Sequence, residues 1–354
     1  MKPKVHSFSE PEKYRRELEI KTDEQKRRKA SFWRKSGLIA GIAVVIAFLF
    51  FASYVNFTRR PVDSGQTNGQ YFEIKEGQSS WQIAQSLQDQ KLIRSKLSFF
   101  ILVKIENRKA LQAGFYNLAP SLSTTDIADK IQNGQVDAYS VTIPEGYRVL
   151  QIARLLQEKT NINANDFISA ALGTEGTLFP DTYVFPRDLE VSKIIEQMRD
   201  DYNKRTAKLK PTADQLVLAS MVEREAKNDS DRPKVAAVFL NRLNQNMPMQ
   251  SNPTVRYALD SQTYLTTKTV DFTFWKEITR SDYQNLSSAF NTYEVKGLPP
   301  APICNPGLKS IEAAINPQQN FTALYFFQDS NGQIHFSDTY QQQMDLIKQF
   351  GLAG

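Results

Sequence analysis

The sequence predicts an α+β protein carried on a single N-terminal transmembrane helix. Three observations support this: a long uncharged apolar run, a repeated strand-and-helix unit, and a C-terminal half that alternates amphipathic helices with β-rich runs. At 354 residues the chain can form roughly two domains, each with its own core.

Residues 1–36 come first, a polar and charged stretch expected to be a largely disordered cytoplasmic tail. They hold 12 basic and 6 acidic residues, so the whole net charge of +6 resides there. The rest of the chain carries 32 of each sign. A neutral main body argues against nucleic acid as a partner.

Gly37–Phe57 follows, 21 residues without a formal charge. At about 1.5 Å per residue it spans the roughly 30 Å hydrocarbon layer. Seven Lys or Arg lie in the 20 residues before it and three in the 20 after. That asymmetry predicts a single-pass protein in the cytoplasmic membrane, with the N-terminus inside and about 300 residues outside. Trp33 and Tyr54 sit where interfacial anchors belong. The one cysteine, Cys304, cannot form an internal disulfide. Residues 58–70 read as a linker rich in Gly, Ser, Asn and Pro.

Folded structure is expected from Tyr71, where a repeat begins. Phe72–Gln88 (FEIKEGQSSWQIAQSLQ) and Val141–Gln157 (VTIPEGYRVLQIARLLQ) share eight of 17 positions at a constant offset of 69. Each copy reads as a strand, a Glu-Gly turn and an amphipathic helix, and Gly77 and Gly146 suit a turn with positive φ. Thr124–Gly134 looks like a related half-copy. The pattern resembles LysM-type modules, which bind N-acetylglucosamine-containing glycans. The resemblance implies a small α/β module over residues 71–140 and a second copy opening a domain over 141–354. Whether the first copy holds sugar or only builds structure stays open at this level.

Farther on, Pro211–Lys227 and Pro233–Asn244 are the clearest helices, Ala323–Ser337 reads as a β-hairpin and Met344–Phe350 as a last short helix. Elimination narrows the chemistry. His6 belongs to the tail, so His335 and Cys304 stand alone outside, which disfavours a zinc site, a Cys-His pair or a serine triad. No phosphate-binding glycine pattern is present. A carboxylate is left as the natural proton carrier.

Thr212 and Gln215 have capping-box spacing, starting a helix at Pro211–Lys227. Val222, Met221 and Leu218 lie three, four and seven residues before Glu225, so Glu225 continues an apolar stripe. Burial there raises a carboxyl pKa and retains the proton that a general acid needs. Glu223 lies about 200° around the helix, so the two cannot flank one glycosidic bond. Read alone, Glu225 suits a salt-bridging residue at a helix end better than a catalytic one. Phe179, Tyr183 and Phe185 beside Asp181 suit a core corner better than a sugar platform, and Gly297–Pro302 reads as a rigid turn.

Three longer blocks go further: Leu218–Leu259, Glu175–Pro186 (EGTLFPDTYVFP) and Phe290–Gly307 (FNTYEVKGLPPAPICNPG). Together, and in this order, they resemble the endolytic murein transglycosylase family (MltG or YceG-like). The resemblance implies catalysis by Glu225, with Glu223, Gln250, Asn252, Thr254, Asn291 and Tyr293 supporting it or lining a glycan groove. Asn252 stands where the family usually has Asp, Arg224 where Lys is commoner, and Gln343 where relatives carry His. The expected activity is cleavage of the MurNAc–GlcNAc bond within nascent peptidoglycan strands, leaving 1,6-anhydroMurNAc ends, with no metal or organic cofactor. Expected partners are glycan strands, the membrane and membrane-bound cell-wall synthesis proteins. An inert glycan-binding scaffold and a hydrolytic muramidase are the competing readings.

Overall fold

The computed structural model describes residues 10–106 and 111–350. By its contacts the chain divides into two compact units, Met1–Val136 and Asp137–Gly354, with mixed α and β structure.

In the first unit, α1 (Glu10–Thr58) is one continuous helix. The described part of the tail is thus helical, contrary to the expected disorder; residues 1–9 lie outside the described residues. No Gly or Pro occurs between Glu12 and Ser36, and the run is rich in Glu, Lys, Arg and Gln, all good helix formers. Among the described residues α1 alone is long and apolar enough to cross a membrane. Strand β1 (Gln70–Ile74), helices α2 (Ser80–Asp89) and α3 (Lys96–Ile105), strand β2 (Gly114–Leu118) and α4 (Thr124–Gln132) follow. The strands pair antiparallel, Gln70 opposite Leu118 and Ile74 opposite Gly114. Phe72, Ile83, Leu87, Phe99, Leu102, Tyr116 and Ile127 close a core beneath them. Ser79 caps α2 in a reciprocal box with Gln82, and Gly77 turns the chain at φ +81°. The half-copy at Thr124–Gly134 is the lone helix α4, capped by Ser123 and Asp126.

The second unit opens with β3 (Ala138–Thr142), α5 (Val149–Lys159), α6 (Ala164–Ala170) and β4 (Thr182–Pro186). Here β3 and β4 pair antiparallel, Ala138 opposite Pro186 and Thr142 opposite Thr182. The strand–helix–helix–strand order of the first unit therefore recurs whole, reaching well past the 17 positions that match in sequence. Gly146 turns at φ +75°, as Gly77 does.

Helices α7 (Val191–Thr206), α8 (Ala213–Glu225), α9 (Arg232–Asn244), α10 (Asn252–Thr267), α11 (Arg280–Asn285) and α12 (Leu308–Ile315) come next. A hairpin of β5 (Tyr325–Gln328) and β6 (Ile334–Ser337) and the final α13 (Tyr340–Phe350) complete the unit. Thr212 caps α8 and Gln215 answers it, the box expected from spacing. Every residue from Leu216 to Val222 is buried, so α8 is the central helix. Leu218, Met221 and Val222 pack with Val235, Ala236 and Phe239 of α9 and with Ile311 and Ala314 of α12. At about 25 cal/mol per Å² of apolar area, such burial is the main force holding α8, and hence its C-terminus, in place.

Candidate active site

Helix α8 ends at Glu225, the last residue of its buried stripe. The Glu225 side chain is partly exposed, and its Oε1 accepts a 2.7 Å hydrogen bond from Ser251 Oγ. Desolvation raises the Glu225 pKa, opposed by the Ser251 hydrogen bond and by the charges of Arg224 and Arg242. Among the described residues, the side chains that act on it are Ser251, Arg224 and Arg242, none of them acidic. This is the electrostatic setting of a single proton donor.

Ser251 precedes α10, where Pro253 fixes the first turn. It is almost fully buried, and its N–H donates to Thr292 Oγ1 at 3.0 Å. Gln250 N–H donates to the Thr292 carbonyl, and the Thr254 and Thr292 hydroxyls meet at 2.8 Å. The segments 250–254 and 291–293 are thereby zipped together beside Glu225.

Of the residues expected near the site, Glu225, Gln250, Asn252, Thr254, Asn291 and Tyr293 are brought onto these two segments and the end of α8. They do different work. Asn291 is fully buried, and its Nδ2 donates to the Tyr283 and Leu286 carbonyls at 2.7 and 2.9 Å. Thr254 is buried too, so both shape the loop from inside and present nothing to a groove. Gln250 sits at φ +49°, and its Oε1 meets Arg242 Nη1 at 3.4 Å. Tyr293 stacks on Tyr283 with ring centres 4.1 Å apart and donates to Asn252 Oδ1 at 2.5 Å. Burial, followed by the nearby Glu225 charge, pushes the Tyr293 phenol up to about 12, so it stays a donor. Asn252 accepts this bond without bringing a second charge.

Glu223 belongs elsewhere. It forms a buried 3.0 Å ion pair with Arg232 and accepts the Gly307 N–H at 3.0 Å, tying α8 to α9 and to the start of α12. Arg224 lies over the Trp275 ring, 4.1 Å from its centre. Cys304 is buried and His335 is a strand residue bound to Asp329 and stacked on Phe350, so neither joins the site. Gln343 accepts from Ser337 Oγ at 2.7 Å inside the hairpin region. Phe179, Tyr183 and Phe185 are buried, and Asp181 pairs with Arg205 at 2.6 Å, a core corner.

Two important residues escaped sequence reasoning. Ser251 lay unnoticed between Gln250 and Asn252; its position just before an Asn-Pro helix start was the available signal. Glu175, which opens the second block, is the other. Its carboxylate accepts Val149 N–H at the start of α5 (3.0 Å), Asn305 Nδ2 (3.0 Å) and Tyr257 OH (3.4 Å). Burial lifts its pKa from 4.5 to about 7, with Arg148 pulling the other way. Asn305 Oδ1 in turn accepts the Gly176 and Leu178 N–H groups, each at 2.9 Å. Next in this loop, Ile303 N–H donates to Ser220 Oγ on α8 at 3.0 Å. Glu175 and Asn305 thus brace the Pro-rich loop against α8. A cavity of about 210 Å³ lies beside them, lined by Arg148, Leu150, Ile168, Tyr257, Tyr264 and Leu265 among others.

With this geometry in view, the chain can be compared with known proteins. The profile of the YceG-like family matches residues 72–349. A Bacillus subtilis (strain 168) protein named endolytic murein transglycosylase is 30% identical over 333 residues, 84% of this chain and 88% of that one. A protein of the same name from Streptococcus pneumoniae serotype 2 (strain D39) is 28% identical over 84% of this chain, which spans 63% of that longer relative. The crystal structure of a YceG-like protein from Listeria monocytogenes superposes with a TM-score of 0.50 at 30% identity, over 78% of this chain and 99% of that one. The chain belongs to the YceG-like family.

Proposed function

We propose that this protein is an endolytic peptidoglycan lytic transglycosylase with Glu225 as its one catalytic acid and base. The observation that carries the reading is the setting of Glu225: a desolvated carboxyl held by one serine hydroxyl and, among the described residues, shifted by no acidic group. The names of the relatives support the substrate class.

One carboxyl suffices because the attacking group is the muramoyl sugar's own 6-hydroxyl. Glu225, protonated, donates to the leaving glycosidic oxygen through the oxygen that Ser251 leaves free. The resulting carboxylate, stabilised by Ser251 and the nearby Arg242 charge, then takes the proton of the 6-hydroxyl as the 1,6-anhydro ring closes. Intramolecular attack avoids most of the entropic cost of bringing in a nucleophile. A paired-carboxylate hydrolase would hold a second acid about 5–10 Å away to serve water or form a covalent intermediate. Among the described residues, the groups that shift the Glu225 pKa are a serine and two arginines, with no acid.

The long apolar stretch of α1 supports a membrane anchor, and the charge asymmetry around Gly37–Phe57 supports an inside N-terminus with both folded units outside. The unit from residue 71 is read as a LysM-like module and residues 141–354 as the catalytic domain, acting on peptidoglycan near cell-wall synthases.

The test is mass spectrometry of products from purified peptidoglycan treated with the protein and with Glu225→Gln. Anhydro-muropeptides from the parent alone are expected. Reducing ends would favour a muramidase, and binding without any product would favour a scaffold.

A further inference from the structure

The first unit holds an unexplained surface beside the anchor. Along the apolar stretch of α1 the side chains are exposed: Leu38, Val44 and Phe50 at 67, 68 and 74%. Its final turn differs, with Val55 and Thr58 only 9 and 6% exposed. The covering groups come from the following module. Thr58 Oγ1 hydrogen bonds Ser98 Oγ on α3, and Thr124 N–H of α4 donates to the Arg59 carbonyl at 2.9 Å. Arg94 lies over the ring of Phe57, 5.4 Å from its centre, and donates to the Pro61 and Val62 carbonyls. A 21-residue span only just crosses a bilayer, and Val55 lies about 3 Å inside its outer end. Whatever packs on Val55 therefore sits at headgroup level.

Helix α3 faces away from its own core with apolar side chains, where a water-facing helix would be polar. Ser98, Phe99, Leu102 and Val103 point inward. Leu97 is 40% and Ile105 75% exposed, and Ile101 and Ile105 follow Leu97 at i+4 and i+8 on the same face. Trp81 of α2, 43% exposed, meets Phe100 edge to face at 5.5 Å. Lys96 lies over the Trp81 ring at 5.2 Å and Lys104 over Phe100 at 5.7 Å. From Lys91 to Ile105 there are four basic residues and no acidic one.

Scattered exposed apolar groups need no explanation. These are joined by ring contacts, flanked by cations and continuous with the anchor's last turn. The geometry points to a second membrane contact: α3 and Trp81 seat the first unit on the bilayer, apolar groups among the headgroups and Arg94, Lys96 and Lys104 on anionic lipid phosphates. The combination of aliphatic and aromatic groups with lysines is that of interfacial helices. The inference rests on the anchor reading above.

The test uses the full chain in vesicles of phosphatidylethanolamine and phosphatidylglycerol, spin-labelled in turn at Leu97→Cys, Ile105→Cys, Val45→Cys and Glu73→Cys. Cys304 is buried, so the parent is the unlabelled blank. Collision rates with oxygen and with a water-soluble nickel complex report depth. The expected result is a several-fold higher oxygen-to-nickel ratio at 97 and 105 than at 73, approaching that at 45, and a drop at 97 when phosphatidylcholine replaces phosphatidylglycerol. Water-like values at 97 and 105 with a lipid-like value at 45 overturn the seat and leave the anchor intact. Water-like values at all four sinks the anchor reading itself. Protection at 97 and 105 that needs added glycan strands overturns the seat in favour of a sugar surface.

Discussion

Glu175→Gln isolates a buried charge whose cost depends on pH. The folded-state pKa of Glu175 is about 7, against 4.5 for an ordinary glutamate. Below pH 4.5 the carboxyl is protonated in both folded and unfolded chains and contributes no difference. Between 4.5 and 7 the folded protein keeps a proton that the unfolded chain has released, so stability falls as pH rises. Above 7 the loss is complete. A shift of this size corresponds to roughly 3 kcal/mol, a large share of a domain's net stability. Glutamine is neutral throughout and retains the oxygen that accepts from Val149 N–H and Asn305. The raised carboxyls of Glu225 and Glu145 slope the same way but are common to both proteins. Urea unfolding of parent and variant from pH 5 to pH 8 is the assay. The variant is expected to gain roughly 2.5 kcal/mol on the parent across that interval, whatever the offset at pH 5. Parallel curves, or a parent that gains on the variant, would refute the argument and mean that Arg148 holds the charged form at least as well as water does.

Ser251→Ala removes the one hydroxyl on Glu225, so its pKa rises further and the alkaline limb of the pH–rate profile moves to higher pH. The lost hydrogen bond, about 1.5–3 kcal/mol, predicts roughly ten- to a hundredfold slower turnover, with Ser251→Thr largely restored. An unmoved limb in a folded variant argues against the contact. Glu223→Ala breaks the buried pair with Arg232 and should cost about 3–5 kcal/mol in denaturant unfolding. An unchanged midpoint would return Glu223 to the list of groove residues. Gly176→Ala forces a side chain at φ +90° to within 2.6 Å of Pro302 Cγ and should lower stability by roughly 2–4 kcal/mol in a thermal melt.

Short-period patterns carried much of this protein in plain view. The apolar run, the capping box at Thr212 and Gln215, the stripe ending at Glu225 and the hairpin near Ala323–Ser337 depend on neighbours within one or two helical turns or one strand pair. Side-chain directions at that range are dictated by helix and strand period, which sequence alone displays. The repeat was legible only where identity survives; its second half is a matter of shared packing, visible when α6 and β4 take the places that α3 and β2 hold in the first unit.

What tertiary structure decided is which groups meet across long separations. Ser251 reaches Glu225 from 26 residues away, and Asn305 reaches Glu175 from 130. Asn291 and Thr254 looked like groove residues in a matched block, yet their hydrogen bonds point inward and build the loop. Glu223 and Glu225, two residues apart, part company because one faces Arg232 and the other faces Ser251. A helical pattern says which way a side chain points, but only the packed neighbours say what waits there.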